Sequence, residues 1–455
     1  MQIDKIASAF RIDGTPVRWN EFGNGHINRT VKVYTDTGRE YVLQRINKYV
    51  FKNPVWVMKN AVAVTTYLQE RVDDPRMVLH FIPATTGKYY HKDEEGEFWR
   101  MTDFVGGFSL DLPESDEDFY QSALAFGRFQ EMLAGYPADS LFEIIPNFHN
   151  TIDRYEKFKE SVRIDGVARV EEVEEDISFL LEREALGGTL QKMLDAGILP
   201  LRVTHNDTKL NNVLLDKATR KSLCVLDLDT VMPGLSLYDF GDSIRFGAAT
   251  ATEDEKDVSK MKLDLHLFQV YTRGFLEAAP SLTAMEVALL PLGAIIMTLE
   301  VANRFLKDYL DGDLYFKVRS PEHNLIRARA QMRLLEDIEA KELYLLEEND
   351  TIVAIYTINQ KWDGEYDKCT WHNKSKTACV IHRLCVLPAF QNKGIGKAVL
   401  NHIENQAKEM EYESVRLDVF SKNPYAIRLY ENNSYEKRGN VCWRKGEFYL
   451  MEKKI

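Results

Sequence analysis

The stretch from Val203 to Gly247 constrains the fold of this chain more than any other part of the sequence. Within it, two hydrophobic runs, Val213–Leu215 and Leu223–Leu228, flank the polar turn Asp216–Ser222. Two short apolar runs that are separated by a polar turn predict a β-hairpin. The residues around this predicted hairpin carry most of the chemistry that the sequence offers.

Four polar side chains, His205, Asp207, Asn212 and Asp227, surround the hairpin. The spacing Asp-x4-Asn, followed by a strand that ends in Asp, is what phosphoryl transfer needs. One carboxylate receives or orients the acceptor hydroxyl, while an amide oxygen and a second carboxylate hold Mg²⁺ against the nucleotide phosphates. The alternative is a polar turn with surface acids, which a lone His-x-Asp would favour. Because the three residues fall together between two apolar strands, we interpret the stretch as a kinase-type catalytic loop and metal strand.

Composition places the chain among soluble globular proteins with two or three domains. It has 455 residues, of which 45% are hydrophobic and 28% charged. A net charge of −12 makes it a poor non-specific partner for nucleic acid. The apolar stretch Val287–Leu299 contains Pro291 and is too short to span a bilayer, so it predicts a buried helix. Five cysteines without a C-x-x-C motif suit a reducing cytoplasm, and we expect no membrane partner.

The first hundred residues predict strands, turns and one helix. Ile27–Thr35 and Tyr41–Ile46 predict a hairpin that is preceded by the turn Phe22–His26, whose glycines either cover phosphates or form an ordinary turn. Val55–Glu70 predicts a helix after Pro54, and Met77–Pro83 predicts a further strand.

The strand Phe98–Phe104 runs into Gly106-Gly107, a flexible joint typical of the hinge between two kinase lobes. We expect backbone groups around Thr102 and Phe104 to meet the adenine edge of a nucleotide. Residues 115–200 predict helices, and Thr283–Tyr309 and Asn324–Lys341 predict two more. These patterns predict three parts: an N-terminal lobe (1–105), a C-terminal lobe with the catalytic loop (106–341), and a separate domain (342–455).

A second constellation lies near the C-terminus. The strand Val380–Leu387 is followed by the turn Gln391-Asn392-Lys393-Gly394-Ile395-Gly396 and the amphipathic helix Ala398–Glu409. Exposed N–H groups at the start of such a helix form an anion site that fits a pyrophosphate. Cys369-x2-His372 and Cys379-x2-His382 have zinc-like spacing, but a strand would point Cys379 and His382 to opposite faces, which favours ordinary thiols.

The first constellation resembles the aminoglycoside phosphotransferase/choline kinase superfamily, whose H-x-D-x4-N and strand-Asp motifs appear here as HNDTKLNN and VLDLD. Over residues 15–340 the segments FGNGHIN, YVLQRINKYVFKNP, VMPGLSLYDFGDSIRFG and EVANRFLKDYLDGDLYFKV resemble the N-acetylhexosamine 1-kinases of that superfamily. The resemblance implies a two-lobed protein-kinase-like α+β fold. It also implies ATP- and Mg²⁺-dependent phosphorylation of the anomeric hydroxyl of GlcNAc or GalNAc.

The resemblance also implies roles for individual residues. Asp207 would be the catalytic base, and Asn212 and Asp227 the Mg²⁺ ligands. His26, Arg304 and Tyr315 would lie near the sugar. Because Gln44-Arg45 stands where kinases usually place lysine, we expect Arg45 or backbone groups to anchor the phosphates.

The second constellation resembles the GCN5-related N-acetyltransferases, over about residues 342–455. The resemblance implies a smaller α/β domain in which residues Gln391 to Gly396 cradle acetyl-CoA. Asn423 and Tyr430 match a later motif of that family, where the tyrosine can protonate the leaving thiolate. We expect this domain to lack its N-terminal strand and helices. The alternative activity is that of a bifunctional aminoglycoside phosphotransferase/acetyltransferase.

Overall fold

The N-terminal part of the chain forms a five-stranded antiparallel sheet in a computed structural model, which describes residues 3–23, 28–339, 343–348, 351–360, 362, 364–373, 377–386, 391, 393–443 and 446–455. The strand order is β1-β2-β3-β5-β4. The bounds are β1 Pro16–Glu21, β2 Arg29–Thr35, β3 Glu40–Ile46, β4 His91–Lys92 and β5 Phe98–Asp103. Val31, Val33 and Leu43 face a core that also takes helix α1, Ile3–Ala7, as the two-residue alternation of strands requires.

Helix α2, Pro54–Gln69, packs against the opposite face of the sheet through Ile46 and confirms the predicted helix. Asn53 caps it by accepting a hydrogen bond from the backbone N–H of Trp56 at 3.3 Å. The predicted strand Met77–Pro83 is wrong. A 3-10 turn, Pro75–Met77, occupies its start, and only an isolated bridge between Phe81 and Thr102 pairs the rest with β5.

Helices dominate the rest of the first unit. Their bounds are α3 Asp116–Met132, α4 Thr151–Ile164, α5 Glu174–Leu181, α6 Glu184–Gly187, α7 Thr189–Asp195, α8 Ser236–Gly247, α9 Leu265–Ala278, α10 Ala284–Leu310 and α11 His323–Glu339. Helix α8 packs closely on α10 because Gly241 and Gly293 face each other's helix: a Cβ at Gly293 would lie 2.5 Å from the backbone oxygen of Leu237.

Two short strand pairs frame the stretch that the sequence singled out. β6 (Arg202–Thr204) pairs with β9 (Met232–Gly234), and β7 (Val213–Leu215) pairs with β8 (Ser222–Val225), all antiparallel. The predicted hairpin is therefore confirmed. Its second strand ends before Leu228, since Leu228–Thr230 forms a 3-10 turn.

Helix α10 is long and apolar enough to cross a bilayer, and it is the only such helix in the parts of the chain that the structure describes. However, 78% of its most apolar window is buried inside the protein. A helix that is apolar on all sides and packed within a protein is typical of a core helix. The predicted helix Thr283–Tyr309 is thus confirmed as a buried one, with Thr283 and Glu286 forming a capping box.

The chain divides into two compact units between Leu334 and Leu335, a point within α11, whereas the sequence predicted a boundary after residue 341. The second unit contains a six-stranded sheet in the order β10-β11-β12-β13-β15-β14. The bounds are β10 Leu343–Glu348, β11 Thr351–Asn359, β12 Ala378–Val386, α12 Ile395–Glu409, β13 Ser414–Phe420, α13 Pro424–Asn432, β14 Glu436–Trp443 and β15 Gly446–Lys454.

Strands β12 and β13 are parallel, and they pair only from Ala378 and Ser414 to Ile381 and Leu417. Beyond that point β12 stays paired with β11 through Val386, while β13 stays paired with β15. The sheet therefore opens between the two strands toward their carboxyl ends. Helices α12 and α13 share a core with one face of this sheet.

Candidate functional site

Helix α8 holds the loop between β6 and β7, residues 205–212, which we call the Asp207 loop. The fully buried carboxylate of Asp239 accepts hydrogen bonds from the backbone N–H groups of His205 (2.9 Å) and Asn206 (2.7 Å). Gln130 Nε2 donates a third bond to it at 2.5 Å. Asn206 has a φ of 65°, a conformation that L-residues adopt at a cost, so these bonds fix the turn that leads into Asp207.

Two neighbours on the same loop bracket the Asp207 carboxylate. Lys209 Nζ lies 3.0 Å from Oδ1, and Asn212 Nδ2 donates to Oδ2 at 3.2 Å and to the backbone oxygen of Asp207 at 2.8 Å. Burial acts to raise the pKa of Asp207, but the charge of Lys209, together with the hydrogen bonds from Lys209 and Asn212, outweighs it, so the pKa lies below its usual value. The carboxylate is ionised at neutral pH, as an acceptor of a hydroxyl proton must be.

His205 is a structural partner of this loop. Its Nε2 donates to the backbone oxygen of Leu226 at 2.7 Å, which leaves Nδ1 to accept the backbone N–H of Asp207 at 3.3 Å. The ring is fully buried and makes edge contacts with Phe126 and Phe129. The histidine therefore ties the Asp207 loop to the segment that follows β8.

Asp227 lies just after β8 in a left-handed conformation, with φ of 53° and ψ of 63°, and begins the 3-10 turn Leu228–Thr230. Burial raises the pKa of Asp227 to about 7, and the carboxylates of Asp229 and Asp207 add to the effect. Arg100 and Lys209 oppose it. Three carboxylates thus share a site in which two side-chain cations only partly balance them, and such a site favours a further cation.

The donor set fits Mg²⁺ that arrives with a nucleotide. Asp227 offers carboxylate oxygens, and Asn212 offers its amide oxygen because its Nδ2 is bonded to Asp207. No group of three or more His, Cys, Asp or Glu side chains is placed to hold a metal in the described part of the chain. Mg²⁺ at nucleotide sites takes one or two protein carboxylates and completes its shell with phosphates and water. Asn212 and Asp227 would hold it here.

The raised pKa of Asp227 predicts a pH-dependent stability. A carboxyl whose folded pKa of about 7 exceeds its ordinary value of 3.8 holds its proton more tightly in the folded chain. Ionised Asp227 therefore destabilises the fold above pH 7, and the penalty disappears as the pH falls toward 4. In EDTA at pH 8, Asp227→Asn is expected to raise the melting temperature by about 2 °C or more. The difference should shrink toward pH 5.

The measurement is a thermal unfolding series from pH 5 to pH 8. Asp139→Asn, which changes an exposed aspartate, is the matched control and should show no pH-dependent difference. A lower melting temperature for Asp227→Asn than for the native chain at pH 8 would contradict the prediction.

Lys209 is a functional candidate that sequence reasoning missed. The signal was its place two residues after Asp207, between the predicted base and the predicted metal ligand. The negative charge of Asp207 is the largest influence on Lys209 and raises its pKa, so the ammonium stays charged beside the carboxylate. A fixed cation at this point can stabilise charge on a phosphoryl group in transit.

Replacing Lys209 with Met is expected to raise the pKa of Asp207, since the amine is the largest influence that lowers it. The acidic limb of the pH profile of kcat should then move to higher pH, and kcat at its plateau should fall by about tenfold or more. The profile is measured from pH 5 to pH 9 with Lys217→Met, in an exposed turn, as the control. An unmoved acidic limb would show that Lys209 does not set the ionisation of Asp207.

The N-terminal sheet reaches this site through Asp229, a buried residue two positions after Asp227. Asn28 Nδ2 donates to its Oδ2 at 2.5 Å, and Arg100 on β5 forms an ion pair with Oδ1. Arg100 is held in turn by Gln44 on β3, whose Oε1 accepts from Arg100 Nε at 3.0 Å.

Arg45, the residue that the sequence favoured as phosphate anchor, lies on the other face of β3. It pairs with Trp99, whose ring is in the core with Leu43. Successive residues of a strand point to opposite faces, so Gln44 and Arg100 face Asp229 while Arg45 does not. The structure does not bring Arg45 to the site.

The predicted hinge lies where β5 ends at Asp103. Thr102, the second-to-last residue of the strand, is buried, and the ring of Phe104 packs edge-on against Phe22 with centroids 5.7 Å apart. Phe108 then exchanges two backbone hydrogen bonds with Leu215 of β7, at 3.0 and 2.8 Å. Gly107 permits this approach, because a Cβ there would lie 2.9 Å from the Leu215 oxygen. The joint thus connects the N-terminal sheet directly to the strand that follows the Asp207 loop.

The predicted sugar contacts are only partly described. His26 lies outside the described residues. Arg304 on α10 lies in an aromatic surround, with its guanidinium carbon 5.3 Å from the ring centroid of Phe148, 5.5 Å from Phe316 and 5.9 Å from Tyr315. The backbone N–H of Tyr315 donates to Asp308 at 2.7 Å, which fixes this loop against α10.

A second arginine shares a buried carboxylate with Arg304. Glu300, fully buried, lies 3.7 Å from Arg304 Nη1 and 4.0 Å from Arg154 Nε, and His149 Nδ1 donates to it at 3.0 Å. Burial, and then the neighbouring charge of Arg304, lower the pKa of Arg154. We name Arg154, Arg304, Glu300 and His149 the arginine cluster. Sequence reasoning missed three of its members: Arg154 on α4, His149 just before that helix, and Glu300, which lies one turn before Arg304 on α10.

In the second unit, α12 begins without a side-chain cap after Gly394, whose φ is 83°. Its first intrahelical bonds run from the N–H groups of Lys397 and Ala398, so those of Ile395 and Gly396 point outward at the helix N-terminus. Gln391 and Lys393 precede it as exposed residues, and Asn392 lies outside the described residues. This end of α12 can receive an anion.

Asn423 and Tyr430 lie at the two ends of α13. Asn423 caps the helix by accepting the backbone N–H of Ala426 at 3.1 Å. Burial, and then the charge of Asp418, raise the pKa of Tyr430, so the phenol stays protonated. Cys379 lies in the core while His382 is exposed and bonds Asn359 at 2.7 Å, so the two point to different surroundings.

Comparison with known proteins matches the two parts of the chain to two different families. The model of the acetyltransferase (GNAT) family matches residues 313–435. This match begins before residue 342 and includes α11, a helix that the sequence predicted but assigned to the C-terminal lobe, so the family match gives the domain one helix where it was expected to lack its N-terminal strand and helices. Ard1 from Thermoplasma volcanium is 18% identical, with 27% of this chain and 79% of that chain covered and a TM-score of 0.22.

For the first unit, a microcompartment-associated aminopropanol kinase is 16% identical, with 74% of this chain and 97% of that chain covered and a TM-score of 0.53, which shows a shared fold. An amicoumacin kinase, hAmiN, solved with AMP-PNP and Ca²⁺, is 11% identical over 73% of this chain and 92% of its own, with a TM-score of 0.49. The model of the phosphotransferase enzyme family (APH) matches residues 18–262, more than half of the chain. The chain therefore belongs to the phosphotransferase enzyme family, with a kinase-like fold, and its sequence continues into a domain that matches the acetyltransferase (GNAT) family.

Proposed function

We propose that the chain transfers the γ-phosphoryl group of ATP to the anomeric hydroxyl of an N-acetylhexosamine, GlcNAc or GalNAc, and releases the sugar 1-phosphate. The observation that carries the proposal is the ionised Asp207 carboxylate between Lys209 and Asn212. Asp207 accepts the proton of the sugar hydroxyl as the oxygen attacks phosphorus, and Lys209 faces the charge that moves with the phosphoryl group. Mg²⁺, when bound, neutralises charge on the nucleotide phosphates.

The arginine cluster supports a neutral sugar as the acceptor. Two guanidinium groups share one carboxylate, so the cluster carries an excess of positive charge, and Arg304 keeps donors for hydroxyl or carbonyl oxygens. It adjoins the Asp207 loop through α8, since the ring of Tyr238 lies 5.0 Å from that of His149 while the next residue, Asp239, holds the loop. A polycationic aminoglycoside would meet like charge here.

The direct test is formation of sugar 1-phosphate from GlcNAc and from GalNAc with MgATP and the full chain. Product from either sugar, absent without Mg²⁺, is the expected result. If neither sugar reacts while kanamycin-type acceptors do, the chain is an aminoglycoside kinase. If the chain consumes ATP but phosphorylates neither the sugars nor the aminoglycosides, the proposed acceptor is overturned.

We propose in addition that the second unit binds acetyl-CoA and transfers its acetyl group to an amine. The opening between β12 and β13 offers a place for the pantetheine arm, and the N-terminus of α12 suits its pyrophosphate. Protonated Tyr430 is suited to give its proton to the departing thiolate as the amine attacks the thioester carbon. Isothermal titration with acetyl-CoA should show binding, and a thiol assay with amino sugars tests turnover. Absence of binding would overturn this proposal without affecting the first.

A further inference from the structure

A buried guanidinium on β5 lies where the N-terminal sheet meets residues 227–230, which we call the metal segment because they begin with the candidate Mg²⁺ ligand Asp227. Arg100 and Asp229 form an ion pair in which both side chains are only 3% exposed. Arg100 Nε also donates to Gln44 Oε1, and Arg100 and Gln44 lie directly opposite each other on neighbouring strands.

Strand β3 offers no cation on this face. Its residues that share the face with Gln44 are Glu40, Val42 and Ile46, and Arg45 lies on the other side with Trp99. β2 does place Lys32 on the same face, opposite Val42.

However, Lys32 is committed near the hinge. Its Nζ pairs with Glu40 at 3.0 Å and sits 3.4 Å above the ring centroid of Phe104. In the part of the sheet that the structure describes, Arg100 is therefore the cation on this face that reaches the metal segment.

The Asp229 carboxylate is fully engaged by the N-terminal half of the chain. One oxygen accepts a hydrogen bond from Asn28, the residue just before β2, and the other oxygen pairs with Arg100. Asn28 Oδ1 in turn accepts the backbone N–H of Asn47, just after β3. A buried ion pair costs desolvation and is weak evidence for a purely stabilising role. Here it fixes the segment of Asp227 to three strands of the N-terminal sheet.

We propose that Arg100 is the positioning residue for the Mg²⁺–nucleotide: acting through Asp229, it supplies on β5 the positive charge that kinases carry as a lysine on β3. The inference rests on the proposed use of MgATP and not on the identity of the acceptor. It accounts for Gln44 at the lysine position, because the amide orients the guanidinium from the adjacent strand.

The test is direct binding of MgATP to the full chain by isothermal titration, with acceptor absent. Arg100→Gln is expected to weaken MgATP binding by about tenfold or more, since it removes one partner of a buried charge pair. The double variant Gln44→Lys with Arg100→Gln moves the cation to β3, on the same face and opposite the lost one. It is expected to recover binding to within about threefold of the native chain. The KM for the acceptor should stay near the native value in both.

Arg45→Gln, one residue from Gln44 but on the other face, is the matched control and should bind MgATP as the native chain does. Native-like binding by Arg100→Gln would overturn the inference, and so would a double variant no better than the single one, because a merely structural arginine is not replaced by a relocated charge. Should Arg100→Gln fail to fold, the double variant decides alone: folded protein that binds MgATP supports the inference, and unfolded protein overturns it.

The experiment separates this inference from the proposed acceptor. A native chain that binds MgATP but phosphorylates neither sugar refutes the acceptor and leaves the Arg100 series fully interpretable. A native chain that does not bind MgATP at all refutes both.

Discussion

Asp207→Asn is expected to lower kcat for phosphoryl transfer by a factor of about 10² to 10⁴ while MgATP still binds. The native carboxylate is ionised because Lys209 lowers its pKa against the effect of burial. An amide of the same shape has one oxygen, which accepts from Lys209 or from Asn212 but not from both, and it cannot take the proton of the attacking hydroxyl. Initial rates of ADP release at saturating sugar and MgATP measure the effect.

Two controls give this prediction its meaning. MgATP affinity of Asp207→Asn should remain within about fivefold of native, since a loss of binding would point to a collapsed site and not to a lost base. Asp139→Asn, an exposed change of the same chemistry, should have native activity. If Asp207→Asn keeps more than a tenth of native kcat, Asp207 only orients its neighbours and another group accepts the proton.

Residues on one loop could be found from the sequence because short-range spacing is preserved on folding. Asp207 and Asn212 lie on a single turn and touch in the structure, and the strand pair that follows was predicted from two apolar runs. The same logic placed α2 and α10 nearly to the residue, since helical periodicity is a local property.

Long-range partners could not be found this way. Arg100 and Asp229 are 129 positions apart, and nothing in either neighbourhood announces the other. The choice of Arg45 failed by a single residue of strand register, because a period of two sends adjacent residues to opposite faces. The predicted strand Met77–Pro83 was wrong for another reason: its apolar composition favours a strand, but tertiary packing gives it only one bridge to β5.

The second unit shows the same division. Its strand β12 and helix α12 were predicted from local alternation and periodicity, whereas β14 and β15 were not predicted. The opening between β12 and β13 depends on where two strands cease to pair. Pairing between strands separated by a helix is a tertiary property that the sequence of either strand does not contain. The arginine cluster is another example, because α4 and α10 bring its members together.

Asp239 is the strongest case of a residue that only the fold reveals, and Asp239→Asn carries the second large prediction. The native carboxylate accepts two backbone N–H groups of the Asp207 loop and the amide of Gln130 in a fully buried place. An asparagine turns one acceptor oxygen into a donor that faces donors. We expect the free energy of unfolding to fall by about 3 kcal/mol and kcat to fall by about tenfold or more, since Asn206 loses what holds its left-handed turn.

Urea unfolding followed by tryptophan fluorescence measures the first effect, and kcat of the folded variant at 20 °C the second. Gln130→Met is the matched comparison, because it removes the third hydrogen bond and leaves both loop bonds in place. It should lose stability but keep kcat within about threefold. If Asp239→Asn loses stability alone and turns over as Gln130→Met does, the loop keeps its shape without the carboxylate. If kcat falls only in Asp239→Asn, the buried acid on α8 sets the geometry of the base, which links a core hydrogen bond directly to catalysis.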